Sequence, residues 1–252
     1  MPPKIVIMFP DHYGHGFQRQ FGKDLLQKFG SVAKIVPIIN SEDPSLLNKE
    51  TEKARASGFI PITANNTFGL RSVLQKGYKH ISSIYPKAIV VRLDTEDHPL
   101  EEIDYLVHDA IVVRGMSVGC LTLSPKAATP GSMEDFVNAD LFPALFRQFT
   151  DGKLTLTGAS GFKAFAPSVC GKILPGAIKI MEKAGQISSP LHLRYGFDFA
   201  MILSAFHQNI PIHIKYIPTD LPEKKPRLRI IKQFGCALYL CRAAEKIKWN
   251  LR

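Results

Sequence analysis

The chain has 252 residues, 45% of them hydrophobic, and carries a formal net charge of +10. That size and apolar content exclude a disordered or fibrous chain and suit a full hydrophobic core. No run reaches the roughly 20 apolar residues of a membrane-spanning helix, and the start, Met-Pro-Pro-Lys-Ile-Val-Ile-Met-Phe, lacks a signal-peptide pattern, so a cytoplasmic protein is expected.

Residues 4–10 read as a first strand, ended by Pro10. Apolar spacing at Phe17, Phe21, Leu25 and Phe29 predicts a helix over 17–29. A second strand, 33–39, runs into the turn-rich Asn40-Ser41-Glu42-Asp43-Pro44-Ser45. A helix over 45–57, a short strand over 59–64, a loop over 65–69 and a helix over 70–85 follow. Residues 88–93 read as a buried strand, 100–108 as a helix and 110–113 as another strand. The Ser/Thr/Pro/Gly-rich stretch 118–133 reads as irregular, and 133–149 as a helix. A strand over 154–156, a flexible turn over 158–162 and a helix over 176–184 come next. Residues 197–207 form a helix that is apolar nearly all round and therefore buried. A strand over 211–217 and a last helix over 228–249 complete the chain. Alternating strands and helices in the first half predict right-handed βαβ units. The expected fold class is α/β, a mixed, mostly parallel sheet with helices on both faces. With no repeat or linker, one domain over 1–252 is expected, with a basic helix at about 226–252.

Residues 88–99 carry the clearest chemistry. An apolar β-branched run ends in Asp94, with Glu96 just beyond, and Pro99 stops the strand. Ligands of open α/β sheets bind at that carboxyl edge. Two carboxylates there make a hard oxygen site for Mg²⁺ or Mn²⁺, serving a substrate diphosphate. The alternative is a solvated acidic turn, with Asp97 capping the next helix and Glu101 and Glu102 in its first turn. Asp198 is the one acid on the apolar helix 197–207. Burying it is costly unless it is paired or has a task, and desolvation would raise its pKa toward that of a general base. Capping of that helix competes with this reading. His12 and His15, in Asp11-His12-Tyr13-Gly14-His15-Gly16, match no standard metal spacing and read as loop histidines near a ligand.

Several segments, in this order, resemble the GT-A fold of nucleotide-sugar glycosyltransferases. They look most like the family-two enzymes, including dolichol- and polyprenol-phosphate mannose synthases. The first of these segments are Phe9-Pro10, Ile39-Asn40-Ser41-Glu42-Asp43, and Asn66-Thr67-Phe68-Gly69-Leu70-Arg71 leading into a helix. Leu93-Asp94-Thr95-Glu96-Asp97-His98-Pro99 resembles the family's Asp-x-Asp motif, with Glu in the second acidic place. Residues 158–162 resemble the acceptor loop, and Tyr195-Gly196-Phe197-Asp198-Phe199 the acidic helix. The resemblance implies glycosyl transfer from a UDP- or GDP-linked sugar to an unknown acceptor, with Mg²⁺ or Mn²⁺ on Asp94 and Glu96. It implies donor contacts from Pro10, Glu42, Asp43, Asn66, Arg71 and Asp94. Acceptor contacts would come from Gly158 and Ser160, and Asp198 would be catalytic. For Glu42 and Asp43, a turn before Pro44 is the competing reading.

A sugar nucleotidyltransferase and a non-catalytic nucleotide-sugar-binding protein are the alternatives. A nucleic-acid-binding role lacks any recognition motif. Lys and Arg far outnumber acids after Glu223. The last helix, through Phe234, Leu238, Ile247 and Trp249, would then offer a peripheral contact with an anionic membrane and a lipid-phosphate acceptor. Packing of that helix on the sheet is the alternative. The four cysteines show no paired spacing and read as reduced, partly buried thiols.

Overall fold

The computed structural model describes residues 4–65, 69–94, 99–123, 136–157, 161–187, 193, 196–219 and 227–249. In chain order the elements are β1 (Ile5–His12), α1 (His15–Gln18), α2 (Gln20–Phe29), β2 (Ala33–Asn40), α3 (Pro44–Ala56), β3 (Ile62–Ala64), α4 (Leu70–Ile84) and β4 (Ile89–Arg92). Then come α5 (Ile103–Val112), β5 (Met116–Leu123), α6 (Phe142–Phe149), β6 (Phe162–Phe165), α7 (Val169–Gly185), α8 (Phe197–His207), β7 (Ile212–Thr219) and α9 (Arg227–Glu245). The seven strands form one sheet in the order β3-β2-β1-β4-β6-β5-β7. β1 is parallel to β2 and β4, β2 to β3, and β5 to β7. Only β6 runs against its neighbours, β4 and β5.

Alternation along each strand feeds two cores. On β1, Val6 and Met8 face one layer while Ile7 and Phe9 face the other, and all four are buried. The first layer contains α4 and α6 through α9, and the second α1, α2, α3 and α5. A strand covered on both faces reads as a continuous apolar run, which is why β1, β2 and β4 were legible. Gly77 lets α4 lie close on the sheet: a Cβ there would run into Ile38.

Several boundaries move. β1 does not stop at Pro10 but continues to His12. The Met8 carbonyl accepts from the Leu93 N–H, so two residues on Pro10 faces the same side, beyond the last β4 pair. A proline without an N–H is tolerated there. The helix expected over 17–29 is broken at Arg19, whose backbone is extended. Residues 110–113 are not a strand. Ile103–Val112 is a helix with Ala110 buried and Ile111 and Val112 43% and 64% exposed, and the turn at Arg114 (φ 51°) precedes β5. Local β-branched propensity lost to the buried stripe of Ile103, Leu106 and Ala110. Leu154 and Leu156 are buried, yet they lie in no strand; the strand of that region is β6.

The last helix packs on the core. Phe234, Leu238, Ile247 and Trp249 all rest against the first layer, and the Trp249 ring stacks on His207 at 4.9 Å. The apolar residues expected to face a membrane are thus partly buried against the core. No helix among the described residues is long and apolar enough to cross a membrane.

Candidate active site

Asp94 lies two residues past the end of β4, at the carboxyl edge of the parallel strands and beside the start of antiparallel β6. Its side chain is 38% exposed, and its Oδ1 accepts from Arg92 Nη1 at 2.6 Å. Arg92 is fully buried. Its other nitrogen, Nη2, donates to Asp198 Oδ2 at 3.1 Å, while Lys163 Nζ donates to Asp198 Oδ1 at 2.6 Å. Lys163 is also fully buried. Two strands and one helix thus bring four charged groups together.

The register explains the arrangement. Arg92 on β4 and Lys163 on β6 are directly opposite in the ladder. Two like charges so placed repel each other. Asp198, on the first turn of α8, enters between them and accepts from both. Burial opposes the Arg92 charge, but Asp198 and Asp94 outweigh it and hold the guanidinium above its ordinary pKa. Burial pulls the Lys163 ammonium below its ordinary value; Asp198 opposes that shift and Arg92 adds to it. The Tyr78 hydroxyl, buried on α4 with no hydrogen-bond partner among the described residues, is pushed well upward by burial and then by Asp198.

Asp198 is buried, as its place on an apolar helix requires. Of the two conditions under which such an acid is tolerated, pairing is met: both of its oxygens are held by cations. Asp43 caps α3: its Oδ1 accepts from the N–H groups of Ser45 and Leu46 at 2.8 and 3.3 Å. Glu42 beside it is exposed. Arg71 sits on the first turn of α4, and burial lowers its pKa while Cys236 and Glu182 oppose the shift. Pro10 lies within β1 and is partly exposed. Asn66, Glu96, Gly158 and Ser160 lie outside the described residues.

Sequence reading missed Arg92, Lys163 and a second acidic position. Glu50 of α3 is buried and bonds to Gln18 and Lys53, the latter at 2.7 Å. Tyr13, Gln18, Leu46, Glu50 and Lys53 line a cleft of about 430 Å³ beside the end of β1. Asp11 is buried and accepts from the N–H groups of Gly16 and Phe17 at 2.8 and 2.9 Å, which fixes the turn after β1. The signal for Arg92 and Lys163 was a lone cation inside an apolar strand.

Among the described residues no group of three His, Cys, Asp or Glu gathers for a metal ion. A Mg²⁺-type site needs only one or two carboxylates when substrate phosphates and water complete its shell. Asp94, partly exposed at the strand edge, fits that requirement.

By sequence, the chain matches no protein-family model and no curated protein. Solved structures do match. Glucosyl-3-phosphoglycerate synthase from Mycobacterium tuberculosis, in complex with Mn²⁺, UDP and phosphoglyceric acid, is 14% identical with a TM-score of 0.57, over 99% of this chain and 81% of that one. The same synthase with Mn²⁺, UDP-glucose and glycerol 3-phosphate is 13% identical with a TM-score of 0.56, over 98% and 82%. A mycobacterial protein is 13% identical with a TM-score of 0.58, over 98% and 76%. These likenesses establish the fold of the chain as the mixed α/β sheet of GT-A glycosyltransferases.

Proposed function

We propose that this protein is a glycosyltransferase that takes a sugar from a UDP- or GDP-linked donor, with Mg²⁺ or Mn²⁺ at the donor diphosphate. The observation that carries the reading is the position of Asp94. It stands partly exposed at the carboxyl edge of β4, where the parallel strands give way to β6. The strand order β3-β2-β1-β4 reverses between β1 and β4, and ligands of open α/β sheets collect at the carboxyl ends beside such a reversal. The synthase that shares this fold was solved with Mn²⁺ and UDP, which supports the same donor chemistry here.

Transfer breaks the bond between the anomeric carbon and the donor diphosphate and forms a bond to the acceptor oxygen. Negative charge grows on the leaving diphosphate. A divalent ion, held by Asp94 and Glu96, would supply the charge that stabilises it. In this reading Pro10, Glu42, Asp43, Asn66 and Arg71 border the donor, and Gly158 and Ser160 the acceptor. The acceptor is unassigned, and the resemblance of residues 93–99 to polyprenol-phosphate transferases keeps a lipid phosphate among its candidates. A phosphate acceptor is already ionised and needs no general base. Asp198, with both oxygens on cations, then serves as a fixed anion beneath the donor site.

Calorimetry of UDP- and GDP-sugar binding with and without Mn²⁺ tests this reading. Binding is expected in the wild-type protein with Mn²⁺, and at least about 10-fold weaker binding in Asp94→Ala or with chelator. A folded wild-type protein that binds neither nucleotide sugar would overturn it.

A further inference from the structure

Arg92 heads the largest fully buried side chains of this protein, and it lies two residues before the proposed donor-site acid. Three features connect it to Asp94. Its planar guanidinium reaches two carboxylates at once, Asp94 through Nη1 and Asp198 through Nη2. A lysine, as a point charge, cannot reproduce that fork. Asp198 is in turn fixed by Lys163, so the far end of the chain of contacts is anchored in β6 and α8. Charge balance points the same way. Arg92 and Lys163 are two buried cations against one buried anion, and Asp94 is the group that closes the balance.

The backbone at Gly161, just before β6, has been kept clear for this pair. A Cβ there would collide with Asp94 Oδ2 and would come within 2.6 Å of Arg92 Nη1. Asp94 lies past the last paired residue of β4, and its own backbone gives it less support than a strand interior would. Its orientation is therefore borrowed from groups beneath it.

We propose that Arg92 is a positioning residue that holds Asp94 in its donor-binding orientation, with Asp198, Lys163 and the open backbone of Gly161 as its support. The proposal rests on the reading of Asp94 as a donor-site acid. Arg92 touches no substrate; it acts through Asp94. Supports of this kind around metal-binding groups are worth about 10–100-fold in affinity.

The test is a cycle of UDP affinities measured with Mn²⁺ for the wild-type protein, Arg92→Lys, Asp94→Ala and the double variant, with Gly161→Ala beside them. Arg92→Lys and Gly161→Ala are each expected to weaken UDP binding about 10–100-fold. The double variant should bind no worse than Asp94→Ala alone, because the effect of Arg92 passes through Asp94. Near-UV circular dichroism reports whether each variant keeps its packing. If Arg92→Lys loses it, Gly161→Ala decides, since it disturbs the pair without altering either buried cation. Wild-type affinity in the folded variants, or losses from Arg92→Lys and Asp94→Ala that multiply, would overturn the proposal while leaving the donor reading intact. A wild-type protein that binds no UDP would overturn the donor reading, and this proposal with it.

Discussion

At the scale of single residues, the buried charges decide more than the exposed ones. Asp198 balances two cations with no solvent access of their own, Arg92 and Lys163. Removing one member of a buried ion network leaves uncompensated charge and costs about 3–5 kcal/mol. Asp198→Ala is accordingly expected to lower unfolding stability by that amount, read from the midpoint and slope of urea denaturation. A loss below about 1 kcal/mol would show that the cations find other partners or water, and would contradict the balance described above. The sequence made half of this network visible. A lone acid on an otherwise apolar helix must be paired or functional, and Asp198 was legible on that ground. Its partners were not, because they are defined by the register of β4 against β6. Arg92 and Lys163 are 71 positions apart, and neither strand's own pattern says which strand it joins.

At the scale of elements, β1 to β4 and β7 were readable as strands, while β5 and β6 were not, residues 118–133 reading as irregular and 158–162 as a turn. β1, β2 and β4 are apolar runs bounded by turn residues, and α4 and α8 show their buried faces directly. β6 is four residues, Phe-Lys-Ala-Phe, with a cation on one face, and its glycine-rich approach favours a turn reading. The end of α5 misleads for a different reason: Ile111 and Val112 are β-branched but exposed, so propensity and burial disagree there. Capping shows the reverse case, a local rule that holds. Asp43 precedes Pro44 at the first helical position and accepts from two free N–H groups of α3. Asp43→Ala should lower stability by about 1 kcal/mol, while Asp43→Ser, which keeps an acceptor oxygen, should recover most of that loss. Thermal unfolding of the two variants side by side checks the point; equal losses would mean that the carboxylate acts elsewhere than at the helix end.

At the scale of the whole molecule, the layer that holds the ion network also holds buried thiols, and both tie stability to pH. Cys170 on α7 is fully buried in contact with the Ser82 hydroxyl of α4, and burial pushes its thiol up to about 12. Burial, reinforced by Glu245, pushes Cys241 on α9 up to about 12 as well. In the unfolded chain both titrate near the usual 9.0. Between those values the unfolded chain gives up a proton that the folded chain keeps, so the unfolded state binds fewer protons and stability falls as pH rises. The contribution is whole below about pH 9 and is lost progressively toward pH 12, at roughly 1 kcal/mol per thiol by pH 10. The raised Tyr78 hydroxyl acts in the same direction above its usual 10.0. Lys163 opposes them: its lowered pKa makes stability rise with pH until the usual 10.5 is passed. Past the usual 10.5 Lys163 no longer opposes them, and the loss from the thiols and Tyr78 stands alone there. Unfolding free energies from urea denaturation under reducing conditions should therefore fall above pH 10.5, by about 1 kcal/mol per pH unit for each thiol. Cys170→Ala with Cys241→Ala should start from a lower stability at pH 8, because two core side chains are shortened, yet fall less steeply with pH. An unchanged slope in that double variant would assign the alkaline loss to Tyr78 or to solvent entry, and the thiols would then be packing groups alone.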